Sequence, residues 1–394
     1  MQVTKSERPH IAFFGCRNAG KSSLVNAIAN QNLAVVSDIK GTTTDPVEKA
    51  MEILPIGPVV IIDTAGFDDA GEIGNLRIEK TMRVMDKTDL AVLVIDSTVG
   101  VGDKDWELIK TFYERKIKFM IAFNKCDLNY CHLPQGEFVK TVCVPVSGKT
   151  GQGLDELKES IANLINKNKK EKYIIRDRLK QGDVVVLVIP IDESAPKGRI
   201  ILPQQNVLRE CLDSHSTAIC CQVEELEELL KKVTPKFVIT DSQAFNKVKD
   251  IVPENIILTS FSILMANYRG KLESLLDGAE KISHLNDGDT VLISEGCTHH
   301  RQCNDIGTVK FPKWIKDFTQ KDVNFEFTQG GEFPEDLSKY KLIIHCGGCM
   351  INESEMKSRQ KRALEQNIPM VNYGMAIAYM NGILGRALRV FDNE

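Results

Sequence analysis

Two groups of residues in this 394-residue chain have the types and spacing to do chemistry. In the last third, Cys346 and Cys349 enclose two glycines in HCGGC, with His345 just before them. Upstream, GCTHHRQC carries Cys297, His299, His300 and Cys303. Thiolates and imidazoles gathered on loops point to a metal. Zinc would take a Cys3His or Cys2His2 set tetrahedrally. An iron–sulfur cluster would take Cys297, Cys346 and Cys349 on three irons and leave the fourth to a weaker ligand. A redox Cys-x-x-Cys is a third option, but it leaves the upstream Cys-x-His idle. The bland alternative is a set of core thiols with no site at all.

The other group opens the chain. GCRNAGKS, Gly15 to Ser22, has Gly-x-x-x-x-Gly-Lys-Ser spacing between an apolar run and a helical pattern. Such a loop turns backbone N–H groups onto phosphate oxygens, and the helix behind it adds its positive end. Gly15, Asn18, Ala19, Gly20, Lys21, Ser22 and Ser23 would form the cradle, with Lys21 on the outer phosphates and the Ser22 hydroxyl on Mg²⁺. GTTTDP, residues 41–46, supplies Thr43 to close over Mg²⁺ and phosphate. In VVIIDTAG, Asp63 would hold Mg²⁺ through water and the Gly66 N–H would sense the terminal phosphate. Lys21, Thr43, Asp63 and Gly66 are therefore the expected catalytic set. Asn124, Lys125 and Asp127 follow the run FMIAF, and Ser147, Gly148 and Lys149 follow VPV. A carboxylate at Asp127 accepts from the ring N–H and exocyclic amine of guanine, a pair adenine does not offer. GTP is the expected substrate. No general base is visible after Asp63, so turnover is expected to be slow, as in a switch.

These loops need strands to carry them. HIAFF, VVIID and FMIAF read as buried strands in the first third, and LDELKESIANLINK as the helix that closes it. A Lys-rich connector follows. Near Gly182 a new unit begins with the apolar run Val184 to Ile191; a polar turn region and RIILP then read as a strand and its return. In the last third, Val291 to Ile293 and Leu342 to Ile344 read as strands that release the two cysteine groups. In a parallel sheet both strand ends open at one edge, so groups distant in sequence can meet there. The fold class is α/β with three domains, over residues 1–168, 169–265 and 266–394.

Composition narrows the function classes. Hydrophobic residues make up 42% and charged residues 26%, an ordinary globular balance. The net charge of −4 gives no bulk electrostatic case for nucleic acid. No basic-then-apolar leader opens the sequence and no apolar run approaches a bilayer span, so no membrane partner and a cytoplasmic location are expected. The 11 cysteines are an odd number spread over the chain, unlike a secreted disulfide scaffold. Cys16, Cys126, Cys143, Cys211, Cys220 and Cys221 are expected to be buried small hydrophobes.

The first third resembles the translation-factor-related GTPases, in particular the group with TrmE and Era. Asn18 matches the phosphate-loop Asn of potassium-activated members, with a plain loop-capping role as the alternative. Phe67 stands where Ras-like proteins carry the water-orienting Gln, and Thr44 where the TrmE group carries Arg. CTH at 297–299 with HCGGC at 345–349 fits the CxH…HCxxC signature of the [FeFe]-hydrogenase maturation GTPases, the HydF family. With VLVIPIDESAPKGRIILP in the middle, the resemblance spans essentially the whole chain. It implies a P-loop GTPase domain, a small α/β dimerisation domain and a C-terminal α/β cluster-binding domain. It implies a [4Fe-4S] cluster on Cys297, Cys346 and Cys349, with His299 and His345 in the signature and the fourth position left to water, Glu295 or Asp305. The implied protein is a homodimeric scaffold that binds GTP, Mg²⁺ and K⁺. It takes a transient di-iron precursor made with the radical maturases HydE and HydG and delivers it to the apo-[FeFe]-hydrogenase HydA. The alternative is a regulatory TrmE/Era-like GTPase whose last domain carries structural zinc.

Overall fold

Short runs of branched apolar residues with no polar alternation form strands buried on both faces, and this chain has many. The computed structural model describes residues 4–30, 37–38, 47–64, 80–128, 141–166, 171–191, 200–297 and 305–392. They fall into two compact units, 1–170 and 171–394. Each is an α/β unit built on predominantly or wholly parallel sheet.

The first unit holds a seven-stranded sheet. Its strands are β1 (His10–Phe14), β2 (Ser37–Asp38), β3 (Val47–Ile53), β4 (Gly57–Asp63), β5 (Leu90–Asp96), β6 (Phe119–Asn124) and β7 (Cys143–Pro145). They lie in the order β2-β3-β4-β1-β5-β6-β7, with β2 and β3 antiparallel to their neighbours and the rest parallel. Alternation along β1 sends Ile11 and Phe13 to one face, against Leu24, Ile28 and Ile161 of two helices. Ala12 and Phe14 go to the other, against Leu108 and Phe112 of the helix Asp103–Arg115. β1 lies where the strand order reverses, between β4 and β5. The crevice beyond such a strand is where ligands bind in open α/β sheets.

The second unit holds two four-stranded, all-parallel sheets. The first contains β8 (Val184–Val188), β9 (Thr217–Cys221), β10 (Phe237–Thr240) and β11 (Ile257–Ser260), ordered β11-β10-β8-β9. The other contains β12 (Thr290–Glu295), β13 (Asn324–Gln329), β14 (Leu342–His345) and β15 (Met370–Asn372), ordered β13-β12-β14-β15. One apolar core joins them: Val186, Val238 and Leu258 belong to the same cluster as Leu292, Ile343 and Val371. The domain boundary expected at 265/266 falls inside the helix Phe261–Arg269, which buries Phe261, Ile263, Leu264 and Met265. The other expected boundary, at 168/169, lies outside the described residues.

Two expectations are corrected. RIILP is no returning strand: from Leu202 the chain is a helix, Leu202–Asp213, with Pro203 in its first turn. Proline's missing N–H costs nothing there, and the Ile201 N–H donates to the Gln204 side chain at 3.0 Å. Of the six cysteines read as buried, only Cys211 is fully so; Cys220 is exposed and the other four are half-buried. β9 is an edge strand with no fully buried residue on either face, which the apolar spacing does not reveal.

Candidate functional site

At the carboxyl end of β1 the chain turns sharply. Gly15 has φ +144, and a Cβ there would sit 2.3 Å from the Val94 carbonyl oxygen of β5. Only glycine lets the loop start this close to the sheet. The Lys21 ammonium donates to the Gly15 and Cys16 carbonyls, both at 2.8 Å, which fixes it inside the ring of backbone. Asn18 takes a left-handed conformation, φ 63, that Asn adopts more readily than other side chains. Ala19 is buried, while Ser22 and Ser23 face outward at the start of the helix Lys21–Asn30.

Asp63 ends β4 beside this loop. The Ser22 hydroxyl donates to its carboxylate, and Lys21 is close enough to act on it by charge. Burial outweighs both and pushes the carboxyl up from its ordinary value. Its Oδ1 is buried and has no hydrogen-bond partner among the described residues. A buried carboxylate oxygen of that kind, next to a serine hydroxyl and a phosphate-type loop, is a donor set suited to Mg²⁺ and its waters. Thr43 and Gly66, like Thr44 and Phe67, lie outside the described residues.

The base-reading loops are wired to the phosphate loop by one side chain. Asn124, at the end of β6, is 3% exposed. Its Nδ2 donates to the Ala19 carbonyl at 2.9 Å, and its Oδ1 accepts from the Gly148 N–H at 3.0 Å. Ser147 is fully buried, and its Oγ accepts from the Lys149 and Thr150 N–H groups. Lys125 has φ 63 and pairs with Asp96 at the end of β5. That partner was missed in the sequence, although an Asp closing the run LAVLVI is its trace. Asp127 is exposed.

The cysteine group lies in the second unit. Ser294 of β12 pairs in register with His345 of β14, so Cys297 and Cys346 leave adjacent parallel strands at the same end. The strand order reverses there as well, because β13 lies on one side of β12 and β14 and β15 on the other. Cys346 Sγ accepts from the Gly296 N–H at 3.1 Å and the Gly348 N–H at 3.4 Å. The Cys297 thiol is hydrogen-bonded to the same sulfur, which holds Cys346 well below the usual thiol range and pushes Cys297 up. Burial, then the Cys346 charge, pushes Cys349 up to about 11, with Arg269 pulling the other way. Gly348 takes φ +64 to bring Cys349 back toward Cys346.

Three mutually interacting thiols, one solvated by backbone N–H groups, are the donors and the hydrogen bonds that an iron–sulfur cluster uses. The same donors suit zinc. Among the described residues no group of three or more His, Cys, Asp or Glu side chains is placed to hold a metal ion. His299, His300 and Cys303 lie outside the described residues. His345 is 1% exposed, with Nδ1 bonded to the Cys346 carbonyl at 2.7 Å and Nε2 to Arg359 at 2.9 Å. Glu295 takes a hydrogen bond from the Tyr373 hydroxyl at 3.1 Å and acts by charge on Cys297. Asp305 caps the turn that follows, accepting from Thr308 N and Oγ1, both at 2.8 Å. Nothing in the local pattern of the sequence singled out Tyr373, Arg269 or Arg359.

Comparison with known proteins follows these divisions. The family model described as 50S ribosome-binding GTPase matches residues 10–125. Two further models match the second unit: the hydrogen maturase F dimerization domain over 174–270 and the hydrogen maturase F tetramerization domain over 273–390. Among curated proteins, the tRNA modification GTPase MnmE of Desulforamulus reducens is 32% identical over 160 residues, 39% of this chain and 34% of that protein. The GTPase Der of Lachnospira eligens is 32% identical over 178 residues, 41% of this chain and 40% of that protein. The chain thus spans about a third to two fifths of the length of these relatives. Among solved structures, the G domain of the T. maritima FeoB iron transporter is 24% identical, covering 40% of this chain and 98% of that one with a TM-score of 0.31.

Proposed function

The chain belongs to the hydrogen maturase F family, and from that premise we propose that it is a GTP-hydrolysing scaffold that holds a [4Fe-4S] cluster and hands a di-iron precursor to an apo-[FeFe]-hydrogenase. One observation carries the reading. Cys297 and Cys346 leave neighbouring parallel strands with their sulfurs hydrogen-bonded, on a chain whose first unit is a P-loop GTPase domain.

In the GTPase unit, Lys21 and the backbone amides of the loop bind and neutralise the outer phosphates. Ser22, Thr43 and Asp63 hold Mg²⁺, and the Gly66 N–H registers the terminal phosphate. Asp127 reads guanine, with Asn124, Lys125, Ser147, Gly148 and Lys149 shaping the pocket. Asn18 is the residue for a stimulating K⁺. Hydrolysis is slow and serves to change partner contacts, as switch loops do.

In the second unit Cys297, Cys346 and Cys349 hold the cluster. Held by three cysteines, such a cluster would keep one iron site open to an outside ligand, and a di-iron unit would be the cargo. The radical maturases HydE and HydG act before this step and the hydrogenase HydA after it. The protein works as a homodimer or a pair of dimers, in keeping with the two oligomerisation models. No helix among the described residues is long and apolar enough to cross a membrane; a cytoplasmic location is part of the proposal.

Anaerobic reconstitution with iron and sulfide tests it. The expected outcome is a broad charge-transfer absorption band and, after reduction, a [4Fe-4S] EPR signal that Cys346→Ser removes. A colourless protein holding one zinc would replace this reading with a regulatory GTPase whose second unit is clasped by metal. The sequence likeness of the first unit to tRNA modification GTPases would then direct the search for its partner.

A further inference from the structure

A buried arginine stands behind the cysteine loops. Arg359 is 2% exposed, on the helix Glu353–Glu365. Its Nη1 donates to His345 Nε2 at 2.9 Å and to Ser294 Oγ at 3.4 Å. Its Nη2 donates to the Gly330 carbonyl and to the Glu355 carboxylate one turn away. The guanidinium lies 5.3 Å from the centre of the Phe333 ring. One planar group therefore gathers residues at the ends of β12 and β14 and the residue that follows β13.

Three of these contacts, to Gly330, His345 and Ser294, lead on to a cysteine. The Gly330 N–H donates to the Cys297 carbonyl at 3.3 Å. His345 Nδ1 is bonded to the Cys346 carbonyl at 2.7 Å. An arginine only donates and a carbonyl only accepts, so His345 carries its proton on Nδ1 and receives at Nε2. Both ring nitrogens are then committed, and His345 is a strut rather than a metal ligand. Ser294 completes the frame, its carbonyl accepting from the Cys346 N–H at 3.0 Å.

We propose that Arg359 is the positioning residue of the three-cysteine site, fixing Cys297 through Gly330 and Cys346 through His345 at a set separation. The proposal rests on the cluster reading above. Glu355 neutralises the buried charge, as a desolvated cation requires. Lysine cannot replace the arginine, because a point charge lacks the fixed fork that reaches two directions at once. Partners behind metal ligands commonly govern affinity in this way.

The test uses the full chain, reconstituted anaerobically, and challenges the cluster with an iron chelator while its absorption is followed. Arg359→Lys is expected to lose the cluster about 10- to 100-fold faster than wild type. His345→Phe should do the same. His345→Gln, whose amide can donate to the Cys346 carbonyl and accept from Arg359, should stay near wild type. Equal retention in Arg359→Lys and wild type, or an imidazole nitrogen coupling in pulsed EPR of the reduced wild type that His345→Gln removes, would overturn the proposal. Hydrogen exchange of the metal-free protein gives a second readout. In Arg359→Lys the peptides around Cys297 and Cys346 should both exchange faster while β15 stays protected. A rise at one loop only, or across the whole sheet, would reduce Arg359 to an ordinary structural residue. Wild type that takes up no cluster sinks the scaffold reading instead, and loop exchange still decides the role of Arg359.

Discussion

Asn124 shows how much of the nucleotide site one side chain can organise. It ties the Ala19 carbonyl of the phosphate loop to the Gly148 N–H of the second base loop. Asn124→Ala leaves those buried groups unpaired and should cost about 1–3 kcal/mol, seen as a lower urea midpoint, together with weaker GTP binding. Asp127 differs in kind, because it is exposed and has no hydrogen bond among the described residues. Asp127→Asn should leave stability unchanged, weaken GTP about 10- to 100-fold through loss of a charged hydrogen-bond acceptor, and admit xanthosine nucleotides. Unchanged GTP affinity by titration calorimetry would remove Asp127 from the pocket. Asn-Lys-x-Asp after an apolar strand marks both residues as candidates in the sequence, but the tie from Asn124 to Ala19 and Gly148 has no local signal there. Arg359 is not marked at all. In SRQKRALE it reads as one more charge on a solvated helix, and its burial is decided by three strand ends that no local window contains.

Among elements, the strands were the easiest to read and the transitions between elements the hardest. β1, β4, β6, β12 and β14 are the apolar runs the sequence displays, because strands covered on both faces need no polar alternation. RIILP failed as a strand because a single Pro in a first turn serves a helix equally well, and a run of three apolar residues carries no period. The HCGGC turn depends on its second glycine. Gly348 lies at φ +64, and a Cβ there would meet the Met356 side chain at 2.3 Å. Gly348→Ala should cost about 1–2 kcal/mol of loop stability from backbone strain alone. Iron bound per chain after reconstitution should fall accordingly, and full iron loading would show that the turn tolerates other geometries.

For the whole molecule, the division into two compact units puts the GTPase loops in one and the cysteine group in the other. Replacing Cys346 and Cys349 together by Ser should abolish cluster uptake and leave GTP turnover within about twofold of wild type, the scatter typical of energetically independent sites. Loss of both activities at once would contradict that separation. Within the second unit the opposite holds, because Val186 and Val238 of one sheet share a core with Leu292 and Ile343 of the other. Two sheets bound by one core melt together. Calorimetry of the full chain should resolve the 171–394 region as a single cooperative transition, not two. Anything that grips the cysteine edge then raises the melting temperature of β8 to β11 as well, by mass action on one shared equilibrium. Occupancy of the cysteine edge and the firmness of the half that matches the dimerization-domain model become a single thermal quantity, so the chain with that edge empty would be the first to come apart on heating.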